Sequence, residues 1–262
     1  AMMPLPFQKL RNRLKRKLWG SSLSAVPAPF RASAVRDGSL AAEIMTYEKS
    51  AGAAHAAGAL PLRTLLLIEK LLPAGEIVSA ETGCGKSTIF FSRIAAKHKT
   101  FCLDDRDLGS ASSVGYFMDC PATRSNVVET IFGPTQLTLP AYAEHAPYDV
   151  VLIDGPHGFP FPELEYYYLY PYLKPGALLV VDASHIPTIG RLADFIAEDS
   201  MFEMIEIADA TAIFRRTDAP VFDPLGDGWW LQDFNRRRVD FSREVQLRDG
   251  NRREPITFEG RF

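Results

Sequence analysis

Glu81, Gly83 and Gly85 alternate with single residues in the run AETGCGKST, residues 80–88, and that spacing admits two chemistries. Gly85-Lys86-Ser87 has the form of a P-loop end, where backbone N–H groups cradle phosphates and the lysine ammonium reaches the outer ones. An acid-x-Gly-x-Gly loop instead closes around a nucleoside, because its glycines let backbone approach the ligand and turn sharply into a helix. Asp104, 19 residues after Gly85, is a carboxylate suited to accept both hydroxyls of a ribose. A triphosphate has no use for such a group. Against the P-loop, the glycine required five residues before Gly85 is Ala80, whose Cβ obstructs the loop backbone. For it, Val150 to Asp154 has the form of an aliphatic strand and magnesium-holding acid, so both readings stand on these residues. Two further acids, Asp154 and Asp182, each precede a histidine by three residues, His157 and His185. An imidazole so placed can take a proton from an alcohol or amine.

These residues must be carried by elements. Pro61 opens a helix through Leu72, and Glu76 to Ala80 is a short apolar strand leading into the glycine loop. A helix follows over Thr88 to Lys97, then strands at Thr100–Leu103, Val127–Phe132 and Asp149–Ile153. Pro162 to Leu173 reads as helix, Ala177 to Val181 as strand, and Ile189 to Ala197 as helix. Phe202–Ile207 and Thr211–Arg215 form a closing strand pair. Strands alternating with helices imply a parallel sheet covered on both faces, and unbroken apolar runs such as Val150-Val151-Leu152-Ile153 fit strands buried on both sides. In such a sheet, ligands bind beyond the carboxyl ends of the strands, where Glu81, Gly83, Gly85, Asp104, Gly133, Asp154 and Asp182 fall. Tyr166, Tyr167, Tyr168, Tyr170 and Tyr172 cluster on one helix, where they pack as core or line a pocket.

Composition narrows the classes. The chain has 262 residues, 47% hydrophobic and 23% charged, and a formal net charge of -3, which argues against a general nucleic-acid binder. Cys84, Cys102 and Cys120 show no metal-ligand spacing and fit reduced thiols. No apolar run is long enough to cross a membrane, and a cytoplasmic protein is expected. Residues 1–20 form a basic amphipathic stretch that suits docking on the protein's own domain or a partner, with peripheral membrane contact the alternative. Three parts follow: a basic helix and connecting arm over 1–59, the main domain over 60–216, and an irregular arm over 217–262. The last part holds Trp229, Trp230 and Phe234 and is expected to pack across the domain or a second subunit, over the acceptor side.

From Leu60 to Arg216 the chain resembles the class I S-adenosylmethionine-dependent methyltransferases. The resemblance rests on ETGCGKST, FCLDD, YDVVLIDGPH, YLKPGALLVVD and MFEMIEIADATAIFRR, in the family's order. It implies an α/β fold: a seven-stranded, mostly parallel Rossmann-like methyltransferase sheet with helices on both faces and a reversed edge strand. It implies S-adenosylmethionine as cofactor, with Glu81, Gly83, Gly85 and Ser87 around its methionine part. Asp104 would hold the ribose, the Gly133 turn the adenine, and Asp154 would lie near the transferred methyl. The acceptor would be a small-molecule oxygen or nitrogen, with Asp154 and His157 as catalytic residues and His185 as second candidate base. Metal-dependent relatives suggest Mg²⁺ shared by Asp154 and Asp182, but the carboxamide they carry next is Ala183 here. A homo-oligomer is expected. The competing readings are a nucleotide-hydrolysing enzyme using Lys86 and a non-catalytic cofactor-binding member of an assembly.

Overall fold

The computed structural model describes residues 40, 42–46, 60–222 and 228–238. The basic stretch at 1–20 lies outside the described residues, as do most of the connecting arm and residues 239–262. Helix α1 (Leu62–Leu71) starts behind Pro61 and buries Thr64, Leu65, Ile68 and Glu69, one stripe at helical spacing. Next come β1 (Val78–Thr82), α2 (Lys86–Ile94), β2 (Lys97–Cys102), α3 (Ser113–Asp119), β3 (Val128–Phe132) and α4 (Thr135–Ala141). The chain continues through β4 (Tyr148–Ile153), α5 (Phe161–Leu169), β5 (Leu173–Val181), α6 (Pro187–Glu198), β6 (Phe202–Ala208) and β7 (Thr211–Arg216), with α7 (Asp233–Arg238) in the C-terminal arm.

The seven strands form one sheet in the order β3-β2-β1-β4-β5-β7-β6. Strands β1 to β5 pair in parallel, and β7 runs antiparallel to both β5 and β6. The reversed strand thus lies in the edge region, one place in from β6. Alternation along the strands feeds two cores. Val151, Ile153, Leu179 and Val181 join α5 and α6 on one face, while Val150, Leu152, Leu178 and Val180 join α1 and α2 on the other. Ile44, from the helical stretch at 42–46, is fully buried in that second core.

Element boundaries differ from sequence expectation where pairing decides them. Helix α2 begins at Lys86, two residues early, because Gly85 N–H donates to Thr88 Oγ1 at 2.9 Å and closes the first turn. It stops at Ile94 because Lys97 is already paired with Val78. Strand β5 begins at Leu173, which pairs with Tyr148, ahead of the expected start at Ala177, so Pro175 and Gly176 lie within it. Helices α3 and α4 lie in segments without clear periodicity.

Candidate active site

Strand order reverses at β1, between β2 on one side and β4 on the other. A cavity of about 770 Å³ opens there, at the carboxyl ends of β1, β2, β4 and β5. Gly83, Gly133, Asp154, His157, Asp182 and His185 all line it. Gly83 adopts φ 79°, and a Cβ there would lie 2.2 Å from the Asp154 carbonyl oxygen, so only glycine fits. Its N–H donates to the Phe101 carbonyl at 2.9 Å, and its own carbonyl accepts Thr100 Oγ1 at 2.6 Å. Gly133, at φ 137°, donates to the Cys102 carbonyl at 2.9 Å. The two glycine turns are thereby tied to β2.

The remaining sequence candidates sit around this cavity rather than on its wall. Glu81 is fully buried and faces α2, accepting from Thr88 Oγ1 and lying 3.0 Å from His98 Nε2. His98 Nδ1 is 2.8 Å from Ser79 Oγ, so the carboxylate braces β1, β2 and the first turn of α2 together. Ser87 is buried in that turn. Lys86 is 5% exposed, with Nζ 3.5 Å from Met45 Sδ of the stretch at 42–46. Asp104 stands at the rim in a two-pronged pair with Arg106, at 2.7 and 2.5 Å. That guanidinium holds the Asp104 carboxyl below the usual carboxylate range. Asp105 does line the cavity, but its oxygens accept from Ser112 Oγ and from the N–H groups of Ser113 and Val114 at the start of α3.

The end of the cavity at Asp154 is electrostatically unusual. Burial pushes the Asp154 carboxyl up to about 7, and His157 Nε2 lies 3.8 Å from its Oδ1. Asp154 in turn holds the His157 imidazole above its ordinary value. Asp182 Oδ1 accepts from Thr211 Oγ1. Ala183, the next residue, adopts φ 56°, a left-handed conformation that asparagine tolerates better. Among the described residues, no three His, Cys, Asp or Glu side chains are grouped to hold a metal. Asp154 and Asp182 both line the cavity.

A further buried carboxylate lies beneath the cavity wall. Glu165 on α5 is fully buried and accepts from Thr82 Oγ1 at 2.7 Å, while Thr82 Oγ1 accepts the Asp154 N–H at 3.1 Å. A Cβ on Gly155 would lie 2.1 Å from Glu165 Oε1, so the loop after β4 rests directly on this carboxylate. Burial raises the Glu165 carboxyl to about 7. The signal was present: Glu165 falls on the buried stripe of α5 with Pro162, Tyr166 and Leu169, where a carboxylate is anomalous. Cys84 and Cys102 also line the cavity; a thiol hydrogen bond between them and burial keep Cys84 protonated.

Strand order 3-2-1-4-5-7-6 with a glycine-loop cavity at the switch point defines the class. Residues 80–184 match a family model described as a methyltransferase domain, so this part of the chain is similar to methyltransferases. Two solved structures share the fold. A protein from Klebsiella pneumoniae assigned as an O-methyltransferase is 15% identical, with 80% of this chain and 96% of that chain covered and a TM-score of 0.51. Cofactor-bound Rv0187 from MTB is 17% identical, with 83% and 100% covered and a TM-score of 0.50. A search of curated proteins finds no match in sequence.

Proposed function

We propose that the protein transfers a methyl group from S-adenosylmethionine to an oxygen of a small-molecule acceptor. The observation that carries the reading is the 770 Å³ cavity whose wall is built by Gly83, Gly133 and Asp154 at the ends of β1, β3 and β4. The methyltransferase-domain match over 80–184 and the O-methyltransferase assignment of a relative of this fold support it. The cofactor supplies the activated methyl; the chain's residues bind and orient. The Gly83 and Gly85 backbone receives the methionine part, Asp104 the ribose hydroxyls and the Gly133 turn the adenine. Methyl transfer is an in-line displacement, so holding the acceptor oxygen close and aligned supplies most of the rate. His157, poised by Asp154, takes the acceptor proton. An amine acceptor is the finer alternative and would need that base less.

The phosphate reading is disfavoured by Lys86, which is buried against Met45 and does not line the cavity. A crossed titration separates the two. Asp104→Ala should weaken S-adenosylhomocysteine binding by about one to two decades, the scale of charge-assisted hydrogen bonds. Lys86→Ala should do clearly less. Tight magnesium-ATP binding that is lost with Lys86 and kept without Asp104 would overturn the proposal. Cofactor binding with no methyl released to any acceptor would favour a non-catalytic role.

A further inference from the structure

A second cavity, of about 400 Å³, lies between α5 and α6 and shares no described lining residue with the first. Its wall is aromatic. Tyr166 and Tyr170 stack at 5.0 Å, Phe195 and Phe234 meet at 5.2 Å, and Phe222 closes one side. The tyrosine cluster of α5 is therefore divided between core and this wall.

The polar groups of the same wall are what an apolar core would avoid. Both carboxylate oxygens of Glu163, the Tyr166 hydroxyl and Asp199 Oδ2 are buried without a hydrogen-bond partner. Tyr166 is only 6% exposed. Buried polar atoms are almost always paired, and leaving one unpaired is unfavourable, more so for a carboxylate. Three of these four atoms are pure acceptors. Arg216 lies close enough to act on Asp199 and Tyr166 through its charge, but it makes no hydrogen bond to either, and its Nε is itself buried without a partner; no ion pair to Glu163 is formed among the described residues. Arg216 donates to the carbonyls of Met201, Thr217 and Ala219, Arg236 pairs with Asp233, and the Arg191 guanidinium lies over the Phe159 ring. Asp199 Oδ1 accepts the Met201 N–H at 3.0 Å, and burial raises the carboxyl while Oδ2 stays without a hydrogen bond.

Unpaired acceptors beside aromatic faces are the recognition elements for an organic cation. We propose that this cavity binds a primary amine or guanidine carried on a flat apolar body, with Glu163 and Asp199 taking the charged head and Tyr166, Phe195 and Phe234 the body. Helix α5 carries Glu163 and Tyr166 on this side and Phe161 and Glu165 toward the first cavity, so the two sites share one rigid element. The inference does not depend on the methyl-transfer reading.

The test is calorimetric titration of the full chain with phenethylamine and its matched neutral and anionic partners, 2-phenylethanol and 3-phenylpropionate. The amine should bind at least about tenfold more tightly than either partner. Glu163→Gln should lower amine affinity by about tenfold, while Asp182→Asn, in the first cavity, should leave it unchanged. Tyr166→Phe, which keeps the ring, reports the hydroxyl separately. No amine binding up to about 10 mM, equal binding of the three probes, or loss through Asp182→Asn in place of Glu163→Gln would each overturn the proposal.

Discussion

His157 and Asp154 show how little a residue's type says before its surroundings are known. Burial raises Asp154 to about 7, and Asp154 raises His157 above its ordinary value in turn. A base must be neutral to accept a proton, so turnover should rise with pH as His157 loses its own. His157→Ala should lower kcat about 10²-fold and abolish that rising limb. The histidine lies outside the glycine loop, so affinity for S-adenosylhomocysteine should change little. Rate–pH profiles of both proteins decide it; an unchanged profile in the variant would leave positioning alone as the source of rate.

At the scale of elements, α5 is the part that locks the site. Glu165 supports β1 through Thr82 and the loop after β4 through Gly155. Its carboxyl sits at about 7 when folded against an ordinary 4.5, so the folded state favours the protonated form. The sign follows from linkage. Stability from this group is full below about pH 4.5 and is lost as pH rises through about 7, by at most about 3 kcal/mol. Glu165→Gln keeps an acceptor for Thr82 but cannot ionise. Its melting temperature relative to the parent should therefore climb between pH 5 and pH 8. A constant difference across that range would show that Glu165 does not titrate in the folded protein.

At the scale of the molecule, the C-terminal arm is a structural member. Phe234 packs on Phe195, Arg238 pairs with Glu198 at 2.5 Å, and Tyr170 donates to the Phe222 carbonyl at 3.0 Å. The described part of the arm docks on α6 and walls the second cavity, and contributes no residue to the first. Residues 223–227 and 239–262, the rest of the arm expected over the acceptor side, lie outside the described residues. Deleting residues 217–262 uncovers the aromatic faces of Tyr166 and Phe195 and should lower the melting temperature by roughly 5–10 °C, given the burial lost. Self-association of the truncated protein should rise. A truncated chain with unchanged melting temperature and mass in solution would show the arm to be dispensable.

What the sequence determined by itself is what local patterning encodes. Apolar runs placed β4 and β5 in a doubly covered parallel sheet, and the spacing of Gly83, Gly85 and Asp104 marked a strand-end site, because period and glycine geometry act over a few residues. Starts and stops were less legible, since Lys97 and Leu173 become strand only by pairing with Val78 and Tyr148, far away in the chain. Only the tertiary structure decided the direction of side chains at the site. Glu81 turns inward to Thr88 and His98, Lys86 turns to Met45, and Glu165 reaches beneath Gly155 to Thr82. Each of those partners is brought close by sheet order and helix docking, which no local pattern of residues contains.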